Sequence, residues 1–128
     1  MRKRLMMILL AIAMMISAYS NVLADQYVGV MNEKPGTRGA WHVNYRQYNF
    51  RGYSTGEKLY TSYQLTGKTS YEVYINNRKS NQLKVIVSGK TYIVASEGDR
   101  TINVSTNSAT KKFYIKFFAP SNFDGYVK

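Results

Sequence analysis

After residue 58 apolar side chains recur at every second position, in short runs separated by turn residues. That period belongs to a strand with one buried face, and no i, i+3, i+4, i+7 spacing follows Asp25 to compete with it. Residues 58–66 place Leu59, Tyr63 and Leu65 on one face, and residues 69–76 do the same with Tyr71, Val73 and Ile75. Leu83, Val85 and Val87 alternate in 82–88, Tyr92 and Val94 in 90–96, Ile102 and Val104 in 100–106, and Phe113, Ile115 and Phe117 in 111–118. Shorter strands are expected at 26–31 and 123–127. In 40–50 the phase changes: Trp41, Val43 and Tyr45 share one face, whereas Tyr48 and Phe50 fall in the opposite phase. Either those later rings leave the core, or a bulge or bend near Gln47 swings them back.

Turn chemistry punctuates these runs at Thr66-Gly67, Asn76-Asn77, Ser88-Gly89, Glu97-Gly98-Asp99, Thr106-Asn107-Ser108 and Pro120-Ser121-Asn122. Residues 33–39, with Pro35, Gly36 and Gly39, form a loop, as do 51–57. Strands with one polar face pair antiparallel, because parallel strands are buried on both faces and read as continuous apolar runs. The fold class is all-β, an antiparallel β-sandwich (Ig-like or jelly-roll-like) of about eight strands. A small β-barrel is the alternative. The core should comprise the in-phase residues Trp41, Tyr45, Tyr63, Val73, Ile75, Leu83, Val85, Val87, Val94, Ile102, Val104, Phe113, Ile115 and Phe117. The succession of residues 113–117 and 123–126 resembles the closing hairpin of small bacterial exported β-sandwiches, such as those appended to secreted peptidases. That resemblance assigns no functional residue.

The first 24 residues obey different rules. Arg2, Lys3 and Arg4 precede an apolar run from Leu5 to Ile16, and Val22-Leu23-Ala24 offers a cleavage site before Asp25. Ala18-Tyr19-Ser20 is a second site. Twelve apolar residues span only about 18 Å as a helix, against a hydrocarbon core of about 30 Å. Residues 1–24 therefore read as a signal peptide cleaved after Ala24, and 25–128 as a single secreted domain without a transmembrane segment. The chain has no Cys and one His, His42. This excludes disulfides, thiolate zinc sites and a Cys nucleophile, so the domain must be held by its core alone. Absence of Cys fits a bacterial exported protein.

The seven Asp and Glu residues are scattered. No pair has the arrangement glycoside hydrolysis requires, and His42 lies on an outward phase beside Asn44 and Arg46. The expectation is a protein that is not an enzyme and has neither catalytic residues nor a cofactor. No metal site is expected; the weaker alternative is a Ca²⁺ site from Glu97, Asp99 and Asp124.

Charge points to binding. The formal +11 falls by the three leader cations to +8 for 25–128, and the basic residues are spread along the chain. Such a field attracts anions at long range. Between 41 and 53 aromatic rings interleave with Arg, Asn and Gln, a mixture suited to stacking on sugars while donating directed hydrogen bonds. Arg46, Tyr48, Arg51 and Tyr53, with Lys58 and Tyr60 on the next strand, are the candidate ligand-binding residues. The expected partner is an anionic polymer, a glycan or another cell-surface component such as cell wall or polysaccharide. Export argues against cytosolic nucleic acid. The competing readings are a secreted antimicrobial or toxin-like effector, and an inhibitor of a secreted enzyme presenting the 33–39 loop.

Overall fold

The computed structural model describes residues 27–36 and 39–128. The expected signal peptide and its cleavage site lie outside the described residues, as do Gln26 and Arg38. The strands are β1 (Val30–Met31), β2 (Ala40–His42), β3 (Tyr48–Ser54), β4 (Leu59–Thr61), β5 (Gln64–Thr66), β6 (Ser70–Asn77), β7 (Leu83–Val87), β8 (Lys90–Val94), β9 (Asp99–Ser105), β10 (Ile115–Phe117) and β11 (Ser121–Val127). No helix occurs among the described residues.

Two antiparallel sheets pack face to face as a β-sandwich. One has the order β1-β4-β10-β7-β8 and the other β3-β11-β6-β9. Each sheet keeps two edges, so the barrel alternative is set aside. The hairpin β7–β8 stays within one sheet. Its two turn residues, Ser88 and Gly89, have φ of 49° and 81°, the left-handed pair that matches strand twist in a two-residue loop. By contrast, β10 and β11 lie in different sheets, so residues 113–126 cross the sandwich and do not form a closing hairpin. β11 instead fills the middle of the four-stranded sheet, paired with β3 over Ser121–Val127 and with β6.

Alternation places the expected aliphatic and Phe residues inside. Val73, Ile75, Leu83, Val85, Val87, Val94, Ile102, Val104, Phe113, Ile115 and Phe117 are all buried. The two sheets meet where Phe123 of β11 stacks on Phe117 of β10, with ring centroids 3.9 Å apart. Phe50 of β3 packs on both.

Three expected core rings stand elsewhere. Tyr45 is 83% exposed because residues 43–46 form a turn, in which the Tyr45 and Arg46 amides both donate to the His42 carbonyl. That turn resets the phase, so Tyr48 and Phe50 enter the core. The single strand expected over 58–66 breaks into β4 and β5 at Ser62-Tyr63, leaving Tyr63 43% exposed. The Ser62 amide there turns toward the Gly29 carbonyl and the Tyr48 hydroxyl. Trp41 is only partly buried, packed at the rim of the core. β5 also pairs with β2 as a small parallel ribbon, an exception to the antiparallel expectation.

Candidate functional site

The two outer faces of the sandwich carry different chemistry. On the four-stranded face the polar groups are engaged with one another. Arg78 Nε lies 2.7 Å from Asp124 Oδ2, and Lys128 Nζ 3.4 Å from Glu72 Oε2. Tyr74 and Tyr126 are cross-strand neighbours and stack at 5.2 Å. Their hydroxyls donate to Asp99 and Glu72, each at 2.9 Å. Those bonds hold both tyrosines neutral and push their pKa above the usual phenol value, with burial adding to the effect.

The outer face of the five-stranded sheet is cationic. The outward positions of β4, β10 and β7 bring Tyr60, Lys116 and Ile86 into one row across the sheet. Lys84 stands one step along β7, and the Phe118 amide donates to its carbonyl at 3.0 Å. The ammoniums of Lys84 and Lys116 each lie 4.7 Å from the centroid of the Phe118 ring, and that of Lys58 lies 5.7 Å from it. Lys116 also lies 5.9 Å from the Tyr60 ring and Lys34 5.8 Å from Tyr114. Tyr60 and Tyr114 contact each other at 6.0 Å. Both ion pairs seen among the described residues are on the opposite face.

Three cations around one ring repel one another, and an exposed cation–π contact offsets only about 0.5–1 kcal/mol. A bound anion would relieve that repulsion. Beside this cluster runs a groove of about 490 Å³ walled by Lys34, Lys111, Lys112, Lys116 and Tyr114, with the Ser88-Gly89 turn at its end and no carboxylate among its described lining residues. Glu57 marks the far border of the face, next to Lys58 and Tyr60, where it accepts Asn32 Nδ2 at 3.3 Å.

The six sequence candidates do not form one patch. Arg46 closes the 43–46 turn with its guanidinium 5.1 Å from the Trp41 ring. Tyr48 is 2% exposed and its hydroxyl donates to the Gly29 carbonyl, so it is a core residue and not an exposed one. Burial raises its pKa. Arg51 and Tyr53 point outward from β3 on the four-stranded face, opposite Asp124 and Asn122. Lys58 and Tyr60 belong to the five-stranded face. Sequence reasoning missed their partners there, Lys84, Lys116, Tyr114 and Phe118. The signal was the polar phase of residues 111–118, which reads Lys112, Tyr114, Lys116, Phe118.

Glu97, Asp99 and Asp124 do not converge: Asp99 accepts from Tyr74, Asp124 pairs with Arg78, and β6 separates β9 from β11. Among the described residues no group of three or more His, Asp or Glu is placed to hold a metal. No helix among them is long and apolar enough to cross a membrane. His42 is exposed, its ring 5.7 Å from Tyr45. Compared with models of known protein families and with curated protein sequences, the chain matches none.

Proposed function

We propose that this chain is an exported, non-enzymatic protein that binds an anionic polymer or anionic glycan-bearing surface through the outer face of its five-stranded sheet. The observation that carries this reading is the gathering of Lys58, Lys84 and Lys116 around Phe118, alongside a groove walled by further lysines with no carboxylate among its described lining residues. Long-range attraction comes from the net positive charge. At contact, ammonium groups replace water around carboxylate, sulfate or phosphate. Lysine is a compact point charge on a flexible stem, so such a face senses anion density and not the geometry of one group. Tyr60 and Tyr114 add flat ring surface on which a sugar can stack.

The test compares two variants of equal charge loss on an immobilised anionic polysaccharide, with heparin as the probe. In Lys84→Ala/Lys116→Ala both changes fall on the cationic face. In Lys68→Ala/Lys128→Ala both fall on the other side of the molecule. A charge pair about 4 Å apart in water is worth about 1 kcal/mol, so losing two contacts should weaken binding about 30-fold at low salt. The control pair should change it about twofold. Equal weakening in the two variants would mean that only total charge matters and would remove the site.

A further inference from the structure

A second concave region lies away from the lysine face. It is a cleft of about 340 Å³ bounded by Trp41 and Tyr63 above the buried Tyr48, with Arg46, Gln47 and Asn49 at its rim. The volume falls at the lower end of the roughly 300–1,000 Å³ typical of small-molecule sites. Its walls are rigid. Trp41 meets Tyr48 edge to face at 5.1 Å and Tyr63 at 5.7 Å. The indole N–H donates to the Arg46 carbonyl at 2.8 Å, which fixes the ring. The Tyr48 hydroxyl is tied to Gly29 and Ser62. Among the described residues the rim amides make one side-chain bond, Gln47 Nε2 to Asn49 Oδ1 at 2.8 Å. This leaves the Gln47 carbonyl as an acceptor and the Asn49 amino group as a donor.

Chemistry selects among occupants. A cationic ligand, which aromatic walls would otherwise suit, meets the Arg46 guanidinium already placed 5.1 Å from the indole. A purely apolar ligand would strip water from the two amides without replacing their hydrogen bonds. A pyranose ring meets both demands, because its C–H face lies on an aromatic surface while neighbouring hydroxyls both donate and accept.

We propose that the cleft between Trp41 and Tyr63 binds a single uncharged pyranose ring, with Gln47 and Asn49 bonding its hydroxyls. This site does not depend on the lysine face. Together the two would let one molecule hold an acidic chain and a neutral sugar at once.

Trp41 is the only tryptophan in the chain, so its fluorescence reports on the cleft directly. The full secreted chain is titrated with methyl glucoside, methyl galactoside and N-acetylglucosamine in high salt, and with choline as the cationic comparison. High salt suppresses the lysine face, which separates failure of one site from failure of the other. The expected result is a saturable change for at least one pyranoside with a midpoint of about 1–10 mM, the weak range suited to a small contact. Tyr63→Ala and Gln47→Ala/Asn49→Ala should each raise that midpoint about tenfold or more. All three side chains are exposed, so both variants should melt like the parent. No saturable change with any of the three sugars, tighter binding of choline, or unchanged sugar binding by a folded Tyr63→Ala protein would each overturn the proposal.

Discussion

Replacing Phe123 by Ala tests whether the two sheets share one core. Phe123 is fully buried on β11 and stacks on Phe117 of β10 at 3.9 Å, with Phe50 at 6.0 Å. β11 is hydrogen-bonded on both sides, to β3 and to β6, so the backbone cannot slide inward to fill the space. The site therefore collapses poorly, and the cost belongs near the top of the roughly 3–5 kcal/mol seen for such truncations. Loss of the ring stack adds about 1 kcal/mol. A domain of this size has a total stability of roughly 5–10 kcal/mol, so about half of it or more should disappear. With a urea dependence of about 1.5 kcal/mol per molar, the unfolding midpoint should fall by about 3 M, or the protein should be unfolded without denaturant. Ile93→Ala is the control. Ile93 points outward from β8 and is 41% exposed, so its removal should cost less than about 1 kcal/mol. Equal and small shifts for the two variants would show that Phe123 does not lie between packed sheets.

Gly125→Ala should be worse than its size suggests. A Cβ there would lie 1.9 Å from the Tyr74 backbone oxygen and 2.7 Å from Phe50, and a sheet backbone cannot retreat. A loss of roughly 3 kcal/mol or more is expected in urea melts. Gly56→Ala meets nothing within 4 Å and should be neutral or slightly stabilising. Stability should also fall in alkali. Burial raises the pKa of Tyr48 and Tyr71, and the bonds to Asp99 and Glu72 raise those of Tyr74 and Tyr126. The folded values lie above the unfolded value of about 10. Their contribution is therefore full below about pH 10 and is lost as pH rises through the folded values. Urea midpoints at about pH 9 and pH 11 should differ, with the lower one at pH 11. No change across that range would contradict the hydrogen-bonding and burial described for these four rings.

Local patterns were readable where packing agreed with them. The period-two phases of Val73 and Ile75, of Leu83, Val85 and Val87, and of Phe113, Ile115 and Phe117 all match the buried face. Ser88-Gly89 marked the hairpin because Gly89 takes a positive φ without steric cost, and Ser88 joins it in the left-handed region. Features that depend on distant partners were not readable. Tyr63 leaves the expected phase because Ser62 is drawn to Gly29 and Tyr48, residues far back in the chain. The turn at 43–46 decided between two stated outcomes for Tyr48 and Phe50, and alternation alone could not choose. The lysine face exists because β10 inserts between β4 and β7. That pairing joins Lys58, Lys84 and Lys116 across long sequence separations, so they read only as dispersed charge. Tyr48 illustrates the reverse error, since an aromatic residue beside Arg and Asn resembles a binding group until the register buries it.

The most direct measurement of the proposed function is a residue-resolved NMR titration of residues 25–128 with a short heparin-derived oligosaccharide at low salt. Saturable shifts should gather on Lys84, Lys116, Tyr60, Tyr114 and Phe118 and fade together as salt is raised. Tyr74, Tyr126 and Arg78, across the sandwich on the charge-paired face, should stay still. Shifts distributed evenly over both faces, or centred on the four-stranded sheet, would contradict a binding site at the lysine face.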